Sequence, residues 1–203
     1  MRLARFLLTF FKPLFWLLFP YKVIGRENVP PEGDPTPLML CPNHISDIDP
    51  VFVLMAMKRH VYYMAKAELF RNKLAAWFVG KKFGAFPVKR GAGDTGAIDT
   101  SKQIVESGKV LGIFPEGTRS KDGKLGRAKS GAALVASQTG ACIVPVAIKT
   151  KGQKVRLFRL TTLVFGNPLS PQELHLDDPE HPDLRYASRY LMERIAQMLE
   201  ESH

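Results

Sequence analysis

The stretch LMLCPNHISDIDPVFVLMAMK, residues 38–58, places a short polar break between two apolar runs. The first run, LMLC, is typical of a buried strand, and the second, PVFVLMAMK, predicts an apolar helix with Pro50 at its first position. Within the break, four residues separate His44 from Asp49. A buried strand that leads through a polar turn into a helix is typical of an α/β domain.

The rest of the chain continues this alternation of strand-like and helix-like segments. Further strands are predicted at YKVIG, AFPVK, VLGIF, CIVPVAI, KVRLF and TTLVFG. Helices are predicted in the middle of KAELFRNKLAAWFVGKKFG, at AIDTSKQIVESGK, at AALVASQTG with Gly140 as its end, and from Pro182 to about Glu200. The pattern predicts one α/β domain with a largely buried sheet, and 203 residues are enough for a substantial core.

A second polar motif, FPEGTRS at residues 114–120, also begins where a predicted strand ends. Ligands of α/β sheets gather beyond the carboxyl ends of the strands, so the two motifs are expected to face one site. Gly117 would let backbone N–H groups approach a ligand, Thr118 adds a hydroxyl, and Arg119 has a planar fork that fits a phosphate. The alternative is an ordinary surface turn with a local pair between Glu116 and Arg119.

His44 and Asp49 allow two interpretations. Histidine exchanges protons near physiological pH, and a carboxylate on its second ring nitrogen would orient it and stabilise the imidazolium, as in a catalytic triad. Alternatively, Asp49 caps the following helix and Asp47 is a turn residue. The chain has no G-x-S-x-G motif and no cysteine beside a histidine. A catalytic pair would therefore act on a hydroxyl supplied by the substrate.

The composition indicates an anionic partner. The chain has 29 basic and 19 acidic residues, for a formal charge of +10. Such a charge favours nucleic acid, an anionic membrane or phosphorylated small molecules. The basic residues are scattered and follow no recognition motif, so nucleic acid is not expected.

Cys41 and Cys142 lie in apolar runs and are expected to be buried thiols, and the five histidines do not cluster as metal ligands.

The N-terminal segment MRLARFLLTFFKPLFWLLFP, residues 1–20, favours a membrane. Its apolar core, residues 6–19, would be about 21 Å long as a helix, against a hydrocarbon thickness of about 30 Å, so it is too short to span comfortably. Its polar residues lie on one helical stripe: Arg2, Arg5, Thr9 and Lys12. Pro13 is expected to begin a second short helix that exposes Phe15, Trp16 and Phe19. Such a segment suits the membrane interface, although packing on its own domain is the alternative.

A competing motif, GAGDTG at residues 91–96, fits G-x-G-x-x-G between a predicted strand and helix, and Glu116 follows Gly96 by 20 positions. This arrangement would suit a dinucleotide-binding oxidoreductase. It leaves His44, Arg119 and the N-terminal segment unexplained. The sequence is also compatible with a non-catalytic membrane-binding module, and with a hydrolase that uses the histidine on water.

Four motifs together resemble the 1-acylglycerol-3-phosphate O-acyltransferase family. NHISDID is similar to its His-x4-Asp motif, GAFPVKR to its second motif ending in Arg90, FPEGTRS to its third, and IVPVAI to its fourth around Pro145. VIGRENVP and VFGNPLS are similar to the family as well. The resemblance extends over about residues 20–170, with the motifs in the family's order.

The resemblance implies transfer of a fatty acyl chain from acyl-CoA or acyl carrier protein to the sn-2 hydroxyl of 1-acyl-sn-glycerol-3-phosphate, giving phosphatidate in phospholipid biosynthesis. His44 would be the general base and Asp49 its orienting partner. The implied substrate-binding residues are Arg90, Glu116, Gly117, Thr118 and Arg119. Another lysolipid is the alternative acceptor, and no cofactor or metal is implied.

The resemblance also implies a particular architecture. A mixed sheet flanked by helices would form a single acyltransferase domain at residues 21–203, preceded by a membrane-associating helical arm at residues 1–20. The expected location is peripheral and monotopic, at the cytoplasmic face of the cell membrane. The expected partners are anionic membrane lipids, lysophosphatidate and the acyl donor.

Overall fold

A computed structural model describes residues 11–72, 76, 80, 84–88 and 95–201. Seven strands form one sheet in the order β1-β7-β6-β2-β5-β3-β4. They are β1 (Tyr21–Ile24), β2 (Leu38–Pro42), β3 (Val61–Lys66), β4 (Ala85–Val88), β5 (Val110–Gly112), β6 (Cys142–Thr150) and β7 (Thr161–Phe165). Strands β2 to β6 are parallel to one another, whereas β7 is antiparallel to β6 and carries β1 beside it in parallel. The predicted mixed sheet is confirmed.

Strand β2 lies in the middle of the sheet because both of its faces are apolar. Leu38 and Leu40 point into a core on one side, and Met39 and Cys41 point into a core on the other. All four are buried, which is the pattern of a parallel strand covered on both faces. The burial predicted for Cys41 is confirmed, while Cys142 is half-buried, and both thiols are free.

Helices cover both faces of the sheet. They are α1 (Asp49–Ala56), α2 (Thr95–Glu106), α3 (Gly131–Thr139) and α4 (Leu184–Glu200), with short 3-10 turns at Arg26–Asn28 and Ala67–Phe70. Helices α2, α3 and α4 share one core, and α1 packs into the other. Helix α3 ends at Gly140, as predicted, where φ is 64°. The middle of the predicted helix in KAELFRNKLAAWFVGKKFG lies outside the described residues.

One predicted strand is wrong. KVRLF is not extended but belongs to the loop between β6 and β7, residues 151–160. Phe158 within it has a φ of 59°, a left-handed conformation that a strand does not contain. Leu157 and Phe158 are exposed, so the apolar letters that suggested a buried strand lie at the surface.

The N-terminal helical segment, residues 11–18, packs on the domain through one of its faces. Phe15 and Phe19 contact Phe52 of α1, with ring centroids 5.2 and 6.3 Å apart. The prediction that both phenylalanines are exposed is therefore wrong, because positions four apart share one helix face. Trp16 is exposed as predicted. The helix already includes residues 11 and 12, so Pro13 does not begin it.

Among the described residues, no helix is both long enough and apolar enough to cross a bilayer. Of the polar stripe predicted for the N-terminal segment, only Lys12 falls within the described residues, where it is exposed. Its other members, Arg2, Arg5 and Thr9, lie outside them.

Candidate active site

The two polar motifs meet at one edge of the sheet. His44 follows the carboxyl end of β2, and Glu116 follows that of β5, the parallel neighbour of β2. The Ser120 N–H donates a hydrogen bond to the His44 carbonyl oxygen at 2.8 Å. The two motifs therefore lie side by side, at the same edge of the sheet.

His44 and Asp49 form a direct side-chain pair. The His44 Nδ1 lies 2.9 Å from Asp49 Oδ2, and the side chain of Asp49 is fully buried while that of His44 is 13% exposed. Because Asp49 is the first residue of α1, the helix holds the carboxylate beneath the imidazole. Because Nδ1 is paired with Asp49, Nε2 is the ring nitrogen left for a substrate.

The Asp49 carboxylate accepts hydrogen bonds from the loop that precedes it, which also carries His44. Its Oδ2 also accepts the N–H groups of Ile45 and Ser46, both at 2.7 Å, whereas Oδ1 has no hydrogen-bond partner among the described residues. Helix α1 has Ile48 at its N-cap and no side-chain cap, so the helix-capping interpretation is wrong. Burial raises the pKa of Asp49, and the hydrogen bonds from His44 and the two N–H groups offset part of that effect.

Glu116 joins the His44 loop to the loop after β5. It is buried, its Oε1 accepts the His44 N–H at 2.8 Å, and its Oε2 accepts the Gly126 N–H at 2.9 Å. The surface-turn interpretation is therefore wrong for this residue. The competing nucleotide motif needs an acidic residue for a ribose, and both oxygens of Glu116 are already bonded to backbone. Residues 91–94 of that motif lie outside the described residues.

An aromatic stack that the sequence did not reveal supports the imidazole. The rings of His44 and Phe114 stack with centroids 4.1 Å apart, and Phe114 stacks on Tyr63 of β3 at 5.8 Å. Tyr63 in turn covers Gly112, where an added Cβ would lie 2.2 Å from its ring. Its pKa is raised well above the ordinary value by burial and by the nearby Asp49 carboxylate. The stack depends on the pairing of β3 with β5, which no local pattern indicates.

Asn43 anchors the same loop to β6. Its Nδ2 donates to the Ile148 carbonyl oxygen at 3.0 Å, and its Oδ1 accepts the Ile148 N–H at 2.7 Å. The side chain is buried, so both bonds are shielded from water. His44 is thus held from β2, β5 and β6 together.

The residues predicted to hold a phosphate differ in their exposure and in the residues that they contact. Thr118 is exposed, and Arg119 pairs at the surface with Asp47. Gly117 has a φ of 67°, and an added Cβ would lie 2.9 Å from the Lys129 side chain. The structure thus brings Arg119 to the loop of His44 and Asp49. Arg90 lies outside the described residues.

A cavity of about 630 Å³ opens beside the His44 loop. Asn43 and Ile45 form part of its wall, and three lysines line it as well: Lys124, Lys149 and Lys151. No sequence pattern singles out these lysines, because all of α3 and most of β6 lie between Lys124 and Lys149. The cavity is basic and borders the loop that carries His44.

The chain is similar to several known proteins. A family model described as Acyltransferase matches residues 20–149. A 1-acyl-sn-glycerol-3-phosphate acyltransferase of Bacillus subtilis is 32% identical over 182 residues, which cover 87% of this chain and 87% of that protein. The chloroplastic 1-acyl-sn-glycerol-3-phosphate acyltransferase LPAT1 of Arabidopsis thaliana is 32% identical over 142 residues, but the match covers only 38% of that longer protein.

The fold is also found among solved structures. The crystal structure of the 1-acyl-sn-glycerophosphate acyltransferase PlsC of Thermotoga maritima matches with a TM-score of 0.72, covering 98% of this chain and 83% of that one. At 20% sequence identity, this likeness establishes the architecture. It confirms the predicted α/β sheet flanked by helices.

Proposed function

This chain belongs to the acyltransferase family, and we propose that it transfers a fatty acyl chain from a thioester to the sn-2 hydroxyl of 1-acyl-sn-glycerol-3-phosphate, giving phosphatidate. The observation that carries the proposal is the buried pair of His44 and Asp49, 2.9 Å apart, at the edge of the sheet. The names of the relatives support the acceptor. The donor is acyl-CoA or acyl carrier protein.

The proposed chemistry uses His44 as the general base. Its Nε2 accepts the proton of the acceptor hydroxyl as that oxygen attacks the thioester carbonyl, and Asp49 stabilises the imidazolium that forms. The tetrahedral intermediate then collapses, the C–S bond breaks, and the departing thiolate takes the proton from the imidazolium. A new ester and a free thiol result, so no cofactor is required.

The remaining site residues are proposed to bind and orient substrate. Arg119 and Arg90, with the Gly117 backbone and the Thr118 hydroxyl, are proposed to hold the acceptor phosphate. Glu116 is proposed to act by fixing the His44 loop, because both of its oxygens bond backbone N–H groups. The lysine-lined cavity supports an anionic substrate, since acceptor and donor both carry phosphate.

We propose further that the enzyme works at a membrane. Residues 21–203 would form the catalytic domain, and residues 1–20 an interfacial arm on the cytoplasmic face of the cell membrane. The exposed Phe11, Leu14 and Leu17 support this assignment, since their apolar surface is compatible with a lipid interface. The chain's charge of +10 favours an anionic leaflet.

The deciding experiment incubates purified protein with lysophosphatidate and a fatty acyl thioester. Thiol release and phosphatidate are followed together, with acyl-CoA and acyl carrier protein tested in parallel. We expect phosphatidate from the unaltered protein and a loss of about 10²–10⁴-fold with His44→Ala. His181→Ala serves as the control, because this histidine is exposed and its ring pairs with Asp178. Undiminished product from His44→Ala would rule out the base.

Two different results would redirect the proposal. Free fatty acid without phosphatidate would assign a hydrolase. Product from a different lysolipid, but none from lysophosphatidate, would keep the reaction and change the acceptor.

A further inference from the structure

Large exposed apolar side chains occur in only two segments of the described residues. These are the N-terminal helical segment, 11–18, and the β6–β7 loop, 151–160. We call the set the apolar patch; its members are Phe11, Leu14, Trp16, Leu17, Leu157, Phe158 and Leu160. Single exposed apolar residues are ordinary, but their confinement to two segments indicates a contact surface.

The two segments of the apolar patch are tied together by backbone hydrogen bonds. The Phe158 N–H donates to the Leu18 carbonyl oxygen at 2.7 Å, and the Thr161 N–H donates to that of Pro20 at 2.9 Å. Tyr21 and Thr161 then begin the pairing of β1 with β7. The loop therefore lies beside the helical segment as part of one surface.

This surface lies at the catalytic edge of the sheet. Strand β6 runs parallel to β2, so its end at Thr150 points the same way as the end of β2 before His44. The 630 Å³ cavity has the loop as one wall, through Lys151, Gln153 and Leu160, and the His44 loop as another. Leu160 belongs both to the apolar patch and to the cavity wall, so a molecule held at this end of the patch lies next to the cavity.

Phe158 is unfavourable for folding in two respects. Its φ of 59° places a bulky side chain in the left-handed region, and its side chain is 68% exposed. The ring buries little surface that would compensate for this conformation. A strained residue with an exposed ring is more readily explained by a binding partner than by the fold.

The charges of the loop define that partner. KGQKVRLFRL, residues 151–160, contains four basic residues and no acidic one. Lys151, Lys154, Arg156 and Arg159 are all exposed and alternate with the apolar side chains. Apolar residues interleaved with basic ones match an anionic bilayer, where the rings enter the interface and the cations meet phosphates.

We propose that the β6–β7 loop is a second membrane-contact element, which inserts Leu157, Phe158 and Leu160 into the interface of an anionic bilayer beside the N-terminal helical segment. The inference rests on the proposed function, in which the acceptor is a membrane lysolipid. The loop then brings the lipid interface to the mouth of the cavity beside His44.

Vesicle sedimentation tests the loop directly, using phosphatidylcholine vesicles with and without phosphatidylglycerol. We expect Leu157→Ser combined with Phe158→Gly to lower partitioning onto the anionic vesicles about tenfold. Glycine suits the left-handed backbone at this position, so the fold should be kept. Phe158→Leu is the matched control and should partition much as the unaltered protein does. Undiminished partitioning of the double variant would overturn the proposal.

A site-specific probe gives a second, independent result. With Trp16→Phe and Trp77→Phe as background, Phe158→Trp should be quenched by brominated lipids. Glu106→Trp in the same background should not be, because Glu106 is exposed and lies just before the amino end of β5, at the edge of the sheet opposite the one that carries His44. The quenching at 158 is therefore compared with that at 106. Equal quenching at both positions, or none at 158, would contradict insertion of the loop.

Two further measurements separate membrane insertion from self-association and from failure of the enzyme assignment. A lipid-free dimer that is lost with Phe158→Gly would assign the apolar patch to a second copy of the chain and overturn the membrane assignment. Activity on a short-chain, monomeric lysophosphatidate should survive Phe158→Gly. If the unaltered protein makes no product from that substrate, the proposed function fails, while vesicle binding still tests the loop because it needs no turnover.

Discussion

The ring of Phe114 lies against the imidazole of His44, with centroids 4.1 Å apart and an angle of 27° between the planes. The stack covers one face of the histidine, while Asp49 holds its Nδ1 at 2.9 Å. Together the two contacts restrict both rotation and tilt of the ring. Phe114 is thereby a positioning residue for the proposed base.

Replacing Phe114 by leucine should therefore slow turnover without unfolding the protein. We expect kcat to fall about tenfold, since an aromatic pair contributes about 0.5–1.5 kcal/mol and the freed imidazole would sample unproductive orientations. Steady-state kinetics on both substrates measures the effect. Phe114→Tyr keeps the stacked ring and should restore most of the rate; equal losses in both variants would argue against stacking.

Asp49→Asn should remove most activity and also change how stability depends on pH. The raised pKa of Asp49 means that the folded state binds its proton more tightly than the unfolded chain does. Stability from this group is fully present below its ordinary pKa of 3.8 and is lost as pH rises through the raised value. Relative to the unaltered protein, the variant should gain stability as pH rises across that window.

Denaturant unfolding from about pH 4 to pH 7 measures the difference, and phosphatidate formation gives the activity. Asparagine still offers one oxygen to the three donors but cannot stabilise an imidazolium, so kcat should fall about 10²–10⁴-fold. A variant that instead loses stability relative to the unaltered protein as pH rises would contradict the direction assigned to the pKa of Asp49.

Glu116→Gln distinguishes loop positioning from substrate binding. One of the two backbone N–H groups would face the new amide NH₂, so stability should fall by about 1–3 kcal/mol. We expect kcat to fall about tenfold while the KM of the acceptor changes little, because His44 is displaced and the phosphate contacts remain. A large rise in acceptor KM at constant kcat would instead assign Glu116 to the acceptor, as the sequence resemblance implied.

The ion pair of Asp47 and Arg119 tests the proposed phosphate contact, because replacing each residue should change the acceptor KM in the opposite sense. If Arg119 holds the acceptor phosphate, Arg119→Ala should raise the acceptor KM about tenfold or more, and the donor KM much less. Asp47→Asn removes the surface partner that competes for the guanidinium. It should lower the acceptor KM by about two- to fivefold, the range of an exposed ion pair. A rise in KM with Asp47→Asn would show that the pair orients Arg119 for binding.

The sequence by itself determined how strands and helices follow one another along the chain. It also determined the burial of β2 and the closeness of His44 to Asp49. These features depend on alternating burial, turn residues and short spacing, all of which act between neighbours in the chain. The sequence predicted a buried strand at KVRLF, which is an exposed loop, and predicted exposed rings at Phe15 and Phe19, which pack on the domain. Both errors have one reason: the apolar character of a residue does not say whether its side chain lies in the core or at the surface.

Only the tertiary structure decided how the imidazole is held. Glu116 reaches the His44 backbone across 72 positions, and Asn43 reaches Ile148 across 105. These contacts depend on β2 lying between β5 and β6, a neighbour relation set by the whole sheet. Another long-range contact places the exposed Phe158 beside Leu18, and Leu160 of the same loop lines the cavity. Such register is a property of the packed core, which no single stretch of the chain encodes.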